Sequence, residues 1–327
     1  MTILLLLLVL VVVVAGAALI VPRAVLRRDA SRATSTELSG PPLALESRTV
    51  TTGDGTDLFV AERGAGRPLV LIHGLSLNHD LWRYQLLDLA AEFRVIAYDL
   101  RGHGQSTVGS DGIGPHPSAD DLAAVLEQLD LRDAIVAGHS IGGTVLGQFC
   151  ADHADVAKER VGGLVFVDTF ASAIAGEGRL REIFSPVFAR LTAASAARRK
   201  VDPSATVKPM GYMVARSPFG KAPDPEQVRF TIALGRSTAP TVASDATVAN
   251  LDFDVREQLG ALDMPSLIIR GSADRLSTER STEQLSSALA HPRVEIIEGV
   301  GHLPMLEARE KFDQLLTEFA HDSAQAR

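Results

Sequence analysis

Short apolar runs rich in β-branched residues alternate along this chain with stretches of helical periodicity, and that alternation leaves few architectures open. The runs are Leu58 to Ala61, Pro68 to Ile72, Arg94 to Tyr98, Ala134 to Ala137, Gly163 to Val167, Ser266 to Arg270 and Val294 to Ile297. Several are apolar throughout, as strands buried on both faces of a parallel sheet must be. Helical patterns fall between them at Asp80 to Glu92, Ala119 to Leu129, Ile141 to Asp152, Thr278 to Leu289 and Met305 to Phe319. Strand and helix in alternation predict an α/β fold with a mostly parallel, doubly wound sheet covered by helices.

One interval breaks the rhythm. From Ala171 to Leu262 there is no strand pattern, and the pieces read as helices and loops, such as Pro186 to Leu191 with Ser185 as N-cap. A connection this long exceeds an ordinary crossover. Placed between two sheet strands, it would sit over their C-terminal ends, where open α/β sheets bind ligands. A helical cap over 171–262 is therefore favoured, between core segments 47–170 and 263–322; an elaborate crossover helix pair is the alternative.

The N-terminus is a separate physical object. Every residue from Ile3 to Val21 is apolar or small, enough as a helix to cross a hydrocarbon layer. No basic residue precedes the run, whereas Arg23, Arg27, Arg28 and Arg32 follow it, which favours a retained anchor with its basic flank in the cytoplasm. The expectation is a transmembrane helix or signal anchor over 1–22, a linker over 23–46 rich in Arg, Ser and Pro, and a cytoplasmic catalytic domain. Truncation before Thr49 would then release a soluble, active enzyme. A cleaved signal ending near Ala15-Gly16-Ala17, giving a secreted protein, and a buried first helix are the competing readings.

Charge and cysteine usage remove other classes. With 32 Lys and Arg against 40 Asp and Glu, the net charge of -8 offers no electrostatic footprint for nucleic acid. The single cysteine, Cys150, excludes an intrachain disulfide and reads as a buried structural thiol. No Cys/His spacing forms a zinc site, so neither metal nor cofactor is expected.

The chemistry begins at Gly138-His139-Ser140-Ile141-Gly142-Gly143, which follows the apolar run Ala134 to Ala137 and precedes a helical pattern. In this strand-turn-helix context a G-x-S-x-G sequence presents its serine on a sharp turn. A serine hydroxyl needs a base to take its proton. His302, in Gly301-His302-Leu303-Pro304 after the last strand, is the best placed; His103 and His139 lie in Gly-rich turns, and His291 lies at the opposite end. The imidazole in turn needs a carboxylate to fix its tautomer. Asp274, in Gly271-Ser272-Ala273-Asp274 beyond a strand end, gives the chain order Ser, Asp, His; Asp168, at the end of Leu164 to Val167, is the rival. Backbone N–H groups of Ile141, after the nucleophile, and Leu75, in the His73-Gly74-Leu75 turn, would form the oxyanion hole, with the His73 side chain structural.

With His73-Gly74, Asp99-Leu100-Arg101-Gly102-His103-Gly104, the GHSIGG turn, Gly271-Ser272-Ala273-Asp274 and Gly301-His302 in this order, the chain resembles a capped member of the α/β-hydrolase superfamily across Thr49 to Phe319. The resemblance implies a covalent acyl-enzyme, because the alkyl-enzyme branches place Asp where Ser140 stands. It also implies that the Asp99 to Gly104 turn is structural. A carboxylesterase acting on a small, lipophilic ester is the leading expectation. An acyltransferase, a cofactor-free perhydrolase, a carbon-carbon bond hydrolase and a non-catalytic receptor remain open. Trp82, Phe184, Phe188, Phe219 and Leu303 are apolar candidates for the pocket, and the oligomeric state is open.

Overall fold

The structure, a computed structural model, describes residues 21–32, 36–172 and 207–325. Its centre is an eight-stranded sheet in the order β1-β2-β4-β3-β5-β6-β7-β8. The strands are β1 (Glu46–Thr51), β2 (Asp57–Arg63), β3 (Arg67–Ile72), β4 (Phe93–Tyr98), β5 (Ala134–His139), β6 (Val161–Val167), β7 (Ser266–Gly271) and β8 (Pro292–Ile297). The β1–β2 and β2–β4 pairs are antiparallel, and every pair from β4 through β3 to β8 is parallel.

The central strands explain their own sequences. Every residue of β5 and of β6 is buried, so neither face tolerates a polar alternation. Successive side chains point to opposite faces, and the two cores divide accordingly. Val70, Ile72, Val136, Leu164 and Phe166 join one hydrophobic cluster, while Leu69, Leu71, Ile135, Ala137, Val165 and Val167 join the other. The helices that cover these faces include α1 (Arg83–Asp88), α2 (Pro115–Gln128), α3 (Ile141–Asp152) and α4 (Ala154–Arg160). Four more, α5 (Pro209–Arg216), α6 (Pro225–Leu234), α7 (Pro240–Ala249) and α8 (Arg256–Leu259), lie between β6 and β7 in the chain. The last are α9 (Glu279–Ala288), α10 (Pro304–Glu307) and α11 (Arg309–Gln325).

Three differences from the sequence reading have physical causes. Strand β1 was not expected, because only Val50 of its six residues is buried and an edge strand facing water carries no apolar pattern. The single helix expected over Asp80 to Glu92 is a 3-10 turn at His79–Trp82, α1, and a second 3-10 turn at Leu89–Ala91. The helix expected over Met305 to Phe319 is broken into α10 and α11 at Ala308, whose backbone N–H closes the shorter helix on the Pro304 carbonyl.

The segment expected as a linker over 23–46 is not bare chain. Residues 21–30 are helical, and Asp29 is buried against the insertion, accepting hydrogen bonds from Tyr212 Oη at 3.0 Å and Arg216 Nε at 3.3 Å. Ser39 donates both its N–H and its hydroxyl to Glu226, at 2.9 and 2.7 Å. Leu38 is buried in the core. The expected membrane-spanning helix over 1–22 lies outside the described residues except for its last two positions. No helix among the described residues is long and apolar enough to cross a membrane. Residues 173–206 of the insertion, with Pro186 to Leu191, Phe184 and Phe188, also lie outside the described residues.

Candidate active site

Strand β5 runs into α3 through a single residue, Ser140, with φ 53 and ψ -119. A non-glycine residue is strained there, by about 1–3 kcal/mol, and the surrounding contacts hold it in place. Its N–H donates to the Val167 carbonyl at 2.9 Å, and Thr169 Oγ1 donates to its carbonyl at 2.7 Å. Gly142 makes the turn possible, because a Cβ there would stand 2.5 Å from the Ile72 carbonyl oxygen at the end of β3. The loop after β3 therefore lies directly against the start of α3. Gly74 in that loop is equally close: its Cβ would meet His139 Nδ1 at 2.8 Å and the Cβ of Ser140 at 3.1 Å.

His302 follows β8 and is brought to the same edge of the sheet. His139, next to Ser140 in the chain, donates from Nε2 to the His302 carbonyl at 2.8 Å, and the two imidazole centroids are 4.8 Å apart. The His302 N–H donates to the Pro218 carbonyl in the insertion at 2.7 Å. Its Nδ1 donates to Asp274 Oδ2 at 2.8 Å, in a pair whose side chains are almost fully buried. Of the two carboxylates weighed from sequence, Asp274 and not Asp168 receives this bond.

Asp274 is built to stay ionised. Burial works against its charge, but the hydrogen bond and charge of His302, the Ser277 hydroxyl and the Leu276 N–H together hold its carboxyl well below the usual range. Ser277 Oγ donates to Oδ2 at 2.6 Å and Leu276 N–H to Oδ1 at 2.8 Å. Sequence reasoning did not single out Ser277. The Asp274-x-x-Ser277 spacing before α9, an Asx-type turn, was the available signal.

Neither the Leu75 nor the Ile141 N–H has a protein acceptor among the described residues. Both are half-buried, at the end of β3 and the start of α3, on the side where Ser140 turns. Ile141 is also the first residue of α3, so its N–H has no intrahelical acceptor and adds the positive end of the helix dipole. This pair can receive an oxyanion.

Several of the other histidines make structural contacts. Burial, then the neighbouring His103, push His73 down to about 3. Its Nδ1 donates to the Gly74 carbonyl while Nε2 accepts the Leu100 N–H, so a neutral ring ties two loops together. Burial and the charge of His302 likewise push His139 down to about 3. In the Asp99 to Gly104 turn, Asp99 accepts from the His79 N–H at 2.7 Å and His79 Nδ1 at 2.8 Å, a buried brace. His291 is paired with Asp263 at the surface. Trp82 is wholly buried and stacks on Phe312, so it is core rather than pocket. Phe219 and Leu303 are buried beside the His302 loop.

The insertion is fastened to this loop by Glu307. Its Oε2 accepts the Gly220 N–H at 2.7 Å and its Oε1 accepts the Gly301 N–H at 3.0 Å. One carboxylate thus joins the insertion to the residue preceding His302.

Comparison with known proteins identifies the family. Residues 67–308 match the family described as alpha/beta hydrolase fold. The chain is 30% identical to the AB hydrolase superfamily protein YisY of Bacillus subtilis, over 83% of this chain and 98% of that protein. It is 30% identical to the non-heme chloroperoxidase CPO-A1 of Kitasatospora aureofaciens, over 82% of this chain and 98% of that one. Among solved structures it is similar to a putative aryl esterase from Burkholderia cenocepacia. That match has a TM-score of 0.69 and 26% identity, and covers 86% of this chain and 100% of the other.

Proposed function

Since the chain belongs to the alpha/beta-hydrolase family and is a hydrolase, we propose that it cleaves a small, lipophilic carboxylic ester through an acyl-enzyme on Ser140. The observation that carries this reading is the buried hydrogen bond from His302 Nδ1 to Asp274, which leaves Nε2 as the basic nitrogen on the edge of the sheet that bears Ser140.

The chemistry then follows from the parts. Ser140 Oγ attacks the ester carbonyl carbon while His302 Nε2 takes the hydroxyl proton. The carbonyl oxygen becomes an oxyanion between the N–H groups of Leu75 and Ile141. Collapse breaks the bond to the alcohol oxygen, which leaves with the proton held by His302. Water attacks the acyl-enzyme, gives its proton to the same nitrogen, and the acid departs as Ser140 is restored. Asp274 stays ionised throughout and stabilises the imidazolium. The insertion acts as a cap, contributing the Pro218 carbonyl that holds the His302 backbone.

A second acceptor has a specific observation in its favour, the relatives named as non-heme chloroperoxidases. Hydrogen peroxide in place of water would convert the same acyl-enzyme to a peracid, with the same proton transfer to His302. The experiment is labelling with a fluorophosphonate followed by peptide mapping, with nitrophenyl esters of increasing chain length as substrates. Label on Ser140 and ester turnover, both lost in Ser140→Ala, are expected. An unlabelled Ser140, or wild-type turnover in Ser140→Ala, refutes the reading.

A further inference from the structure

Two carboxyl groups meet behind His302, and the reaction above uses only one. Asp168 follows β6 in a strained backbone conformation with φ 43, and its side chain is buried. One carboxylate oxygen of Asp168, one of Asp274 and one ring nitrogen of His302 lie within 4.8 Å of one another. Asp168 Oδ1 accepts the Gly271 N–H at 3.0 Å, whereas Oδ2 is buried and has no donor among the described residues. The Asp274 carboxyl is the group left to pair with it.

We propose that Asp168 is a positioning residue that remains protonated and donates a hydrogen bond from its carboxyl group to the Asp274 carboxylate, fixing the plane in which Asp274 faces His302. This rests on the serine-hydrolase reading given above.

Two buried carboxylates at this separation cannot both ionise, so one keeps a proton. The donors decide which. Asp274 is faced by His302 Nδ1, the Ser277 hydroxyl, and the N–H groups of Leu276 and Ser277. Asp168 has one close N–H donor, from Gly271. The Ser277 hydroxyl stands between them, 2.6 Å from Asp274 Oδ2 and 3.4 Å from Asp168 Oδ1, as expected when the negative charge is on Asp274. Burial pushes Asp168 well above the ordinary carboxyl range and the charge of Asp274 adds to it. The other titratable groups facing the pair are His302, His139 from β5 and Glu307 from α10. Arg270 of β7 gives its Nη1 to the Gly271 carbonyl.

A protonated Asp168 supplies the donor that the exposed Oδ2 lone pairs of a surface carboxylate would find in water. Without it, Asp274 would keep its charge but lose one of the bonds that set its orientation. Asparagine in place of Asp168 preserves the arrangement, since its amide can donate to Asp274 while its carbonyl accepts from Gly271. Leucine preserves neither.

The experiment compares full-length wild type, Asp168→Asn and Asp168→Leu. At neutral pH the infrared difference spectrum of wild type minus Asp168→Asn is expected to show a protonated-carboxyl C=O band; subtraction removes other protonated carboxyls such as Asp313. In kcat/KM against pH, Asp168→Asn is expected to keep the acidic limb within about 0.3 pH units of wild type. Asp168→Leu is expected to lower kcat by about tenfold or more, with a smaller change in KM, and to move the acidic limb upward, because an unbraced Asp274 carboxylate holds its charge more strongly against the base. Absence of the band, or a downward shift of about half a unit or more in Asp168→Asn, would mean that a negative charge had been removed and would overturn the proposal. The infrared test needs neither substrate nor a folded leucine variant, so it stands apart from the fluorophosphonate test of the reading itself.

Discussion

His302 Nδ1 donates to Asp274 Oδ2 at 2.8 Å, and both side chains are withdrawn almost completely from water. In that setting the hydrogen bond fixes which ring nitrogen carries the proton, since a buried carboxylate accepts but cannot donate. Replacing Asp274 by Asn lets an amide face Nδ1 and favours the opposite tautomer. Asp274→Asn is expected to retain its fold and to lose up to about 10⁴ in kcat. Steady-state kinetics on a nitrophenyl ester, with circular dichroism as the folding control, checks it. A loss below tenfold would remove Asp274 from the role given to it here.

Glu307 offers one oxygen to the insertion and the other to the loop that carries His302. Burial pushes its carboxyl up, and the N–H groups of Gly220 and Gly301 oppose that rise. Glu307→Gln keeps one acceptor and turns the other into a donor that faces an N–H. Hydrogen bonds to a charged group contribute about 1.5–3 kcal/mol each, so loss of one should loosen the insertion and displace His302. The expected result is a fall of about tenfold or more in kcat/KM, and faster amide exchange at Gly220 and Gly301 by hydrogen-exchange mass spectrometry. Unchanged exchange at both would show that the bridge does not hold the loop.

Asp313 on α11 is buried and accepts a hydrogen bond from Gln85 Nε2 at 2.8 Å, while Gln85 Oε1 has no partner. Burial, opposed by that bond, raises its carboxyl to about 7. Because the folded value lies above the unfolded one, the stability this group contributes is complete below about 4 and is lost as pH rises to about 7. Asp313→Asn should therefore stabilise less at pH 5 than at pH 8, where the gain should be about 1–2 kcal/mol after allowance for neighbouring charge. Urea unfolding at the two pH values measures it. Equal effects at both would place the Asp313 carboxyl in its ordinary range.

Asp29 is another buried carboxylate with a defined purpose. Its bonds to Tyr212 and Arg216, and those of Ser39 to Glu226, tie the segment before β1 to α5 and α6. Truncation before Thr49, which the sequence reading expected to be harmless, would remove these ties and part of β1 as well. A chain beginning at residue 21 is expected to be more stable than one beginning at Thr49, by several degrees in Tm, and Asp29→Ala in the longer chain should forfeit part of that difference. Equal Tm values for the two truncations would mean that the segment adds nothing to the fold.

How much of this was legible depended on whether a signal is local. The elbow at Ser140 was readable because its requirements lie within a few residues: an apolar strand, small residues where the backbone doubles back, and a helix start. The parallel sheet was readable because burial on both faces leaves apolar runs such as β5 and β6. Strand β1 was not, since an edge strand with one buried residue has no pattern of its own. The segment before it gave only composition, and composition does not reveal that Asp29 finds Tyr212 183 residues away.

The sequence alone determined the α/β architecture, the turn that presents Ser140 and the family the chain belongs to, because periodicity and short motifs are properties of neighbouring residues. Only the tertiary structure decided between Asp274 and Asp168. Both follow strands of the same sheet, β7 and β6, and their carboxyl groups come together beside His302. What separates them is the number of donors each meets there: Ser277, Leu276 and His302 converge on Asp274, while Asp168 has Gly271 and is left to keep a proton. That count depends on where three separate loops come to rest, and no stretch of sequence carries it.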